Sequence, residues 1–274
     1  MDRPSLTALT ATTARAAWYG RLANDSFAWR FLGRGLRAIA WLLRHVPLLL
    51  ALAVRIGDWI ERGVGAYIGL RTAYIDDAVE AAAASGISQI VILGAGYDSR
   101  AWRLAHPGVR YFEIDHPATQ ARKQARLAQL ALPAQAVMIP VDFAVDDLAS
   151  ALVAGGFDRD RPALFVWEGV SMFLSPAAVR ATVAAVRGLA CGGSRFVADF
   201  NYPKRDTVGC AAARALGEAC RFSLAPAMAA AFLELEVTEL AGAELLRERY
   251  LQGSRFARRH RTQPSFLVTA SVGE

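Results

Sequence analysis

Two glycines and an aspartate are the residues of this chain whose spacing most plainly suits chemistry. Gly94-Ala95-Gly96 stops a short, β-branched apolar run, Ile90 to Leu93, of the kind that forms a strand buried on both faces. With no side chains at the glycines, the backbone can turn tightly and a ligand can come close. An amphipathic piece, Ser99 to Leu104, follows, so strand, glycine turn and helix come in the order that makes a ligand site at a helix N-terminus. A second apolar run, Val109 to Ile114, ends in Asp115, 21 positions after Gly94. An acidic side chain at that distance can accept hydrogen bonds from both hydroxyls of an adenosine ribose.

Two ligand types compete for such a unit, beside a plain βα turn that binds nothing. A nicotinamide dinucleotide fingerprint wants glycine at the third position of G-x-G-x-x-G, and that position is Ser99. Pyrophosphate needs the close helix approach that the third glycine helps provide. A ligand without phosphate, such as S-adenosylmethionine, does not.

A longer string separates these readings. Leu-Gly-Ala-Gly-Tyr-Asp-Ser-Arg-Ala-Trp-Arg-Leu (93–104) is followed by Phe-Glu-Ile-Asp-His-Pro (112–117) and Lys123. Arg-Thr-Ala-Tyr-Ile-Asp-Asp (71–77) lies upstream, and Trp-Glu-Gly-Val-Ser-Met-Phe-Leu (167–174) lies downstream. These four blocks, in this order, closely resemble the leucine carboxyl methyltransferase-like family of class I S-adenosylmethionine-dependent O-methyltransferases. The resemblance runs from about residue 71 to 200 and continues more faintly to Tyr250.

The resemblance implies a doubly wound, mostly parallel, Rossmann-like seven-stranded sheet, and S-adenosyl-L-methionine as cofactor. It places Arg71 on the cofactor's methionine carboxylate, the Gly94-Ala95-Gly96 turn against the cofactor and Asp115 on the ribose. Asp142 would contact the adenine with Phe143 beside it, and Glu168 would sit near the methionine end. An N-terminal basic residue touches the cofactor in some relatives; Arg15 is the candidate here. Phe173 stands where the family more usually has Tyr, which leaves any role for that hydroxyl unsupported. Physical chemistry agrees with these transfers. A guanidinium fork matches two carboxylate oxygens. Asp115, Asp142 and Glu168 all follow apolar runs, where open α/β sheets bind ligands. Three acids there also suit a cationic sulfonium and an amino group. Helix capping would explain any one of them but explains all three less well.

The elements that must position these residues follow from periodicity. Residues 5–20 carry a helical pattern, and Asn24-Asp25-Ser26 reads as a cap or turn. Residues 27–60 alternate apolar turns with Arg30, Arg34, Arg37, Arg44 and Arg55, as two or more amphipathic helices broken near Pro47 would. Residues 1–70 are expected to form an N-terminal helical lid that covers the cofactor and supplies an apolar pocket for the acceptor, or else simply to pack on the catalytic core, with 71–274 as the cofactor-binding domain. Thr72 to Ser85 is predicted helical. Strands are predicted at 90–93, 110–114, 136–141, 163–167 and 195–200, with helices at 98–104, 117–131, 146–154 and 176–190 between them, which gives a parallel sheet with right-handed crossovers. An alanine-rich helix is expected over 206–219. Phe232–Leu240 and Phe266–Val272 are expected as a closing antiparallel pair around a helix at 243–250. Residues 255–261 make a basic loop, read as a solvated surface more than an RNA contact.

The 274 residues are 54% hydrophobic, with a formal net charge of +6. Lys123 and Lys204 are the only lysines, so the positive charge is nearly all arginine. It is spread through the chain, and nucleic acid is not an expected partner. Cys191, Cys210 and Cys220 lack zinc-ligand spacing, so no metal is expected, and they read as reduced cysteines of a cytosolic protein. No signal peptide is expected. The most apolar stretch, Val46 to Val54, is far short of the roughly 20 residues that span a bilayer. A basic amphipathic lid could still touch a membrane surface through 27–60. Oligomeric state is left open.

No pairing of a histidine with an acid is visible in the sequence near the proposed site, so no general base or other catalytic residue is identifiable from it. A carboxylate acceptor needs none, being ionised at pH 7. The expected acceptor is a carboxylate or acidic hydroxyl on a hydrophobic small molecule, polyketide-like or another secondary metabolite. The alternatives are a non-catalytic binding module that keeps the shell, or methylation of a protein C-terminus or RNA.

Overall fold

A computed structural model describes residues 6–18, 20–203, 208–215, 219–254 and 263–272. Five helices come first: α1 (Leu6–Trp18), α2 (Ala28–Phe31), α3 (Arg34–His45), α4 (Pro47–Ile60) and α5 (Val64–Ala84). Strand and helix then alternate: β1 (Gln89–Leu93), α6 (Arg100–Arg103), β2 (Arg110–Asp115), α7 (Pro117–Gln129), β3 (Ala136–Pro140), α8 (Leu148–Ala154), β4 (Ala163–Trp167), α9 (Pro176–Leu189) and β5 (Arg195–Asn201). The chain closes with α10 (Val208–Ala215), α11 (Ala229–Leu233), β6 (Glu236–Ala241), α12 (Ala243–Tyr250) and β7 (Ser265–Ser271).

The seven strands lie in the order β3-β2-β1-β4-β5-β7-β6. β1 to β5 are parallel, and β7 runs antiparallel to both β5 and β6. Strand order reverses between β1 and β4, the switch point where open α/β sheets form a crevice at their carboxyl ends. The sequence places the residues after β1, β2, β3 and β4 at that edge. β1 and β4 are buried at every position, as their unbroken apolar runs require. Edge strand β6 alternates and carries Glu236 and Glu239, with a bulge between Val237 and Glu239, which blunts it against pairing with another chain.

Local sequence sets the helix starts. Ser175 accepts a hydrogen bond from the Ala178 N–H (3.2 Å) ahead of Pro176, and Asp147 accepts one from Ala149 (3.0 Å). Both are N-caps. Each face of the sheet has its own apolar core. Phe112, Phe157, Phe165, Trp167, Phe196 and Phe200 fill one. On the other, Tyr67, Leu70, Tyr74, Ile75 and Val79 of α5 pack on Ile90, Ile92, Leu164 and Val166. Fully burying each such side chain contributes about 1.5–3 kcal/mol.

Two elements differ from expectation. α5 begins at Val64, eight residues before Thr72, so one continuous helix passes through residue 71. Phe232 and Leu233 end α11 instead of opening a strand, and Glu234 turns the chain at φ +50° before β6. The alanine-rich segment is helical over Val208–Ala215, and the basic loop 255–261 lies outside the described residues. Cys191, Cys210 and Cys220 form no disulfide.

Candidate functional site

The turn after β1 is held against β2. The N–H groups of Gly94 and Ala95 both donate to the Ile114 carbonyl (2.7 and 2.9 Å). Gly94 has φ +72°, and a Cβ there would lie 2.2 Å from Cγ2 of Val170. Gly96 has φ +49°, and a Cβ there would meet Ala8 of α1 at 3.3 Å. Glycine is therefore needed for both the left-handed backbone and the close approach of other segments. Asp115 ends β2 and locks onto this turn: Oδ2 accepts from the Gly96 N–H, and Oδ1 from the His116 N–H (2.6 Å). Burial raises its pKa, against those backbone donors. Each oxygen keeps a lone pair for a further donor. Asp142 follows β3 with its carboxylate half-exposed, 3.7 Å from Nε2 of His116. Phe143 beside it packs on the core. His116 also caps α7, where Nδ1 accepts from Ala118 (3.3 Å).

The second half of the site is a buried ladder of charges. Arg71 lies on the inner stripe of α5, spaced from Tyr67, Leu70, Tyr74 and Ile75 as one helix face requires. Its Nε donates to Glu168 (2.9 Å) and its Nη1 to Asp199 (2.7 Å). Its Nη2 makes no hydrogen bond among the described residues. The other oxygen of Glu168 accepts from Nη1 of Arg100 (2.7 Å). Arg100 also pairs with Asp98 and, through Nε, with Asp76 (2.8 Å). Asp76 in turn takes Arg103 (2.5 Å). Asp199, fully buried in β5, accepts from the Gly169 N–H (2.6 Å) and from Tyr67 (3.3 Å). The bond to Gly169 fixes the loop after β4.

Burial alone would raise the pKa of Glu168; the Arg100 and Arg71 guanidiniums outweigh it and hold the carboxyl well below its usual range. Burial would likewise lower the pKa of Arg71, and Asp199 and Glu168 reverse that. Neither group exchanges a proton near neutrality. A depressed folded-state pKa contributes stability that is present above the unfolded value and lost as pH falls below it. Thermal melting should therefore fall more steeply below about pH 4.5 in the native protein than in Glu168→Gln. Parallel curves for the two would exclude Glu168 as the group responsible.

Arg15 reaches the same turn from the other side. Its Nε pairs with Asp25 (2.9 Å), and its Nη2 donates to the Tyr97 carbonyl (2.7 Å). Asp25 accepts from Ser99 (2.7 Å). The charge of Arg15 also helps depress Glu168. Beneath the turn, Lys123 donates to the Asp98 carbonyl and to Glu113 (both 2.6 Å). Burial nevertheless pushes the Glu113 carboxyl up to about 7.

The residues marked in the sequence thus fall into two joined groups. Gly94, Ala95, Gly96 and Asp115 form one, with Asp142 and Phe143 at its border. Arg71 and Glu168 touch directly in the other, and Arg15 bridges to the turn. Asp199, Arg100, Asp98 and Asp76 were not singled out. Asp199 had one visible signal, a carboxylate inside the otherwise apolar run 196–200 of β5. Among the described residues no group of His, Cys, Asp and Glu suits a metal ion.

Residues 6–187 match the family model described as leucine carboxyl methyltransferase. The chain belongs to the leucine carboxyl methyltransferase family. It is 42% identical over 132 residues to a Streptomyces coelicolor protein named "Putative S-adenosyl-L-methionine-dependent methyltransferase", covering 47% of this chain and 46% of that one. A Frankia alni protein of the same designation is 38% identical over 140 residues, covering 50% and 48%. The chain spans about half the length of these relatives. Among solved structures, a "putative methyltransferase" of Thermobifida fusca matches with TM-score 0.60 at 17% identity, over 100% of this chain and 97% of that one. A DUF574 family protein of Streptomyces avermitilis matches with TM-score 0.58 at 16% identity, over 94% and 96%. Those two likenesses show a shared fold for this family member.

Proposed function

We propose that this leucine carboxyl methyltransferase family member binds S-adenosyl-L-methionine along the carboxyl edge of the sheet and directs its methyl group to an oxygen nucleophile. The observation that carries the reading is Arg71. Two of its nitrogens are held by Glu168 and Asp199, and Nη2 is left to meet a carboxylate in a fixed orientation. The donor set fits the rest of the cofactor. Asp115 offers two oxygens at the turn for ribose hydroxyls, and Phe143 beside Asp142 offers a ring for a base. The glycine turn leaves no side chain in the way. The names of the curated relatives support the same cofactor.

When bound, the cofactor supplies an electrophilic methyl group on a sulfonium. The chain's own residues then have three tasks: to grip the two ends of the cofactor, to align the acceptor and to exclude water. Glu168, with its depressed pKa, adds negative charge near a sulfonium without acting as a base. Burial and the nearby Asp199 raise the Tyr67 hydroxyl well above its ordinary pKa, so it stays protonated. A nucleophile that is already an anion suits such a site, which favours a carboxylate or an acidic hydroxyl over an ordinary alcohol or an amine. The apolar lid helices favour an acceptor with a hydrophobic body, of the polyketide or acyl kind.

Incubation with methyl-labelled cofactor and a panel of carboxylic acids, phenols, amines and RNA tests the acceptor class. Label should enter the acids or phenols; label confined to amines or RNA would overturn the class. Asp115→Ala should weaken S-adenosylhomocysteine binding by about 1–3 kcal/mol, the cost of lost hydrogen bonds to a charged group. Unchanged affinity in a calorimetric titration would remove Asp115 from the ribose.

A further inference from the structure

The lid presents an outward face of the wrong polarity for water. On α4, Leu48, Leu52, Ile56 and Trp59 recur at helical spacing along the exposed side, with Trp59 81% and Leu48 77% exposed. Leu49 and Ile60 widen that stripe, while Leu50 and Val54 face the core. On α3, Ile39, Trp41 and Leu42 are exposed as well. A soluble surface scatters such residues singly; a contiguous stripe marks a docking face.

Charge indicates what docks there. Residues 34–62 hold five arginines, Arg34, Arg37, Arg44, Arg55 and Arg62, against Asp58 and Glu61, a formal +3. Arg34 at the start of α3, Arg55 within α4 and Arg62 just after it are all exposed. Asp58 turns inward to accept the Gly65 N–H (3.0 Å). Two copies joined through this face would bring those arginines together with only Glu61 beside them as a partly exposed counter-charge. A lipid surface with anionic headgroups satisfies both parts: arginine stems lie along the apolar boundary with their heads among phosphates, and tryptophans favour that depth.

Geometry decides between lying on a bilayer and crossing it. α4 has 14 residues, about 21 Å at 1.5 Å per residue, against a hydrocarbon core of about 30 Å. No described helix is long and apolar enough to cross alone, and α3 and α4 meet at a bend of 108°. We propose that the α3–α4 face docks on an anionic membrane surface, with the apolar side of α4 at the headgroup boundary. This proposal is independent of the methyl-transfer reading, because vesicle binding needs no cofactor.

The test is co-sedimentation of the full chain with vesicles of phosphatidylcholine alone and of phosphatidylcholine mixed with phosphatidylglycerol. The mixed vesicles should carry the protein down, and high salt should weaken this. The triple variant Leu48→Glu, Leu52→Glu, Trp59→Glu should lose binding by more than about tenfold while melting at the native temperature. Reversing Arg34, Arg55 and Arg62 to Glu should remove the preference for anionic lipid. Absence from both pellets would overturn the proposal. So would equal binding to both vesicles, or a dimer in light scattering that the triple variant abolishes.

Discussion

Glu168→Ala is expected to destabilise the protein by about 3–5 kcal/mol, because it leaves two buried guanidiniums without the carboxylate they share. Arg71 and Arg100 each donate to a different oxygen of Glu168, and Arg100 is 1% exposed. Neither can recover its lost partner from water. Nη2 of Arg100 already lacks a hydrogen bond, so the substitution adds to an existing deficit. For a domain of this size the loss corresponds to a melting temperature lower by roughly 6–20 °C. Ligand binding should suffer further, since Arg71 would no longer be fixed from both sides. Glu168→Gln fills the same volume and keeps one of the two acceptor oxygens, so it should cost less than the alanine. Melting unchanged in Glu168→Ala would mean that the ladder does not hold the site together.

Gly94→Ala is the second large effect, through backbone and contact at once. A non-glycine residue at φ +72° costs roughly 1–2 kcal/mol, and a methyl 2.2 Å from Cγ2 of Val170 forces one segment to move at a further cost of about 1–3 kcal/mol. The segment that moves is Glu168-Gly169-Val170, so the shift passes to Arg71 and Asp199. Binding of S-adenosylhomocysteine should therefore fall by more than the loss of stability alone explains. Adding Val170→Ala removes the contact and should restore the steric part of the stability, leaving the backbone part. If the double variant is no more stable than Gly94→Ala, the contact is not the cause.

Much of the frame was legible because local chemistry determines it. The apolar run Ala163–Trp167 and the helical pattern Ala243–Tyr250 match the observed elements at both ends, and Pro47 opens α4 where a break was read. The start of α5 was missed for a reason that lies outside the segment. Gly65 and Gly69 lie inside the helix ahead of the expected start at Thr72, and glycine disfavours a helix interior. In the fold, a Cβ at Gly69 would come within 3.1 Å of Trp18, so packing against α1 favours glycine inside a helix. Phe232 looked like the start of a strand because its neighbours are apolar; the turn at Glu234 decides otherwise.

The site divides in the same way. The glycine turn and Asp115 lie 21 positions apart and are joined by one βα unit, so their proximity follows from a local motif. The partnership of Arg71 with Asp199 spans 128 positions and depends on where α5 crosses the sheet. No spacing rule reaches that far. The resemblance points to a basic residue near the N-terminus and so to Arg15; its pairing with Asp25 and its bond to the Tyr97 carbonyl depend on how α1 lies against the turn.

The most direct test is calorimetric titration of the native protein with S-adenosylhomocysteine and, separately, with NADH. Binding of the first at a one-to-one ratio, with no heat from the second, is the predicted result. Binding of NADH, or heat from neither ligand, would contradict a phosphate-free adenosyl ligand at the glycine turn.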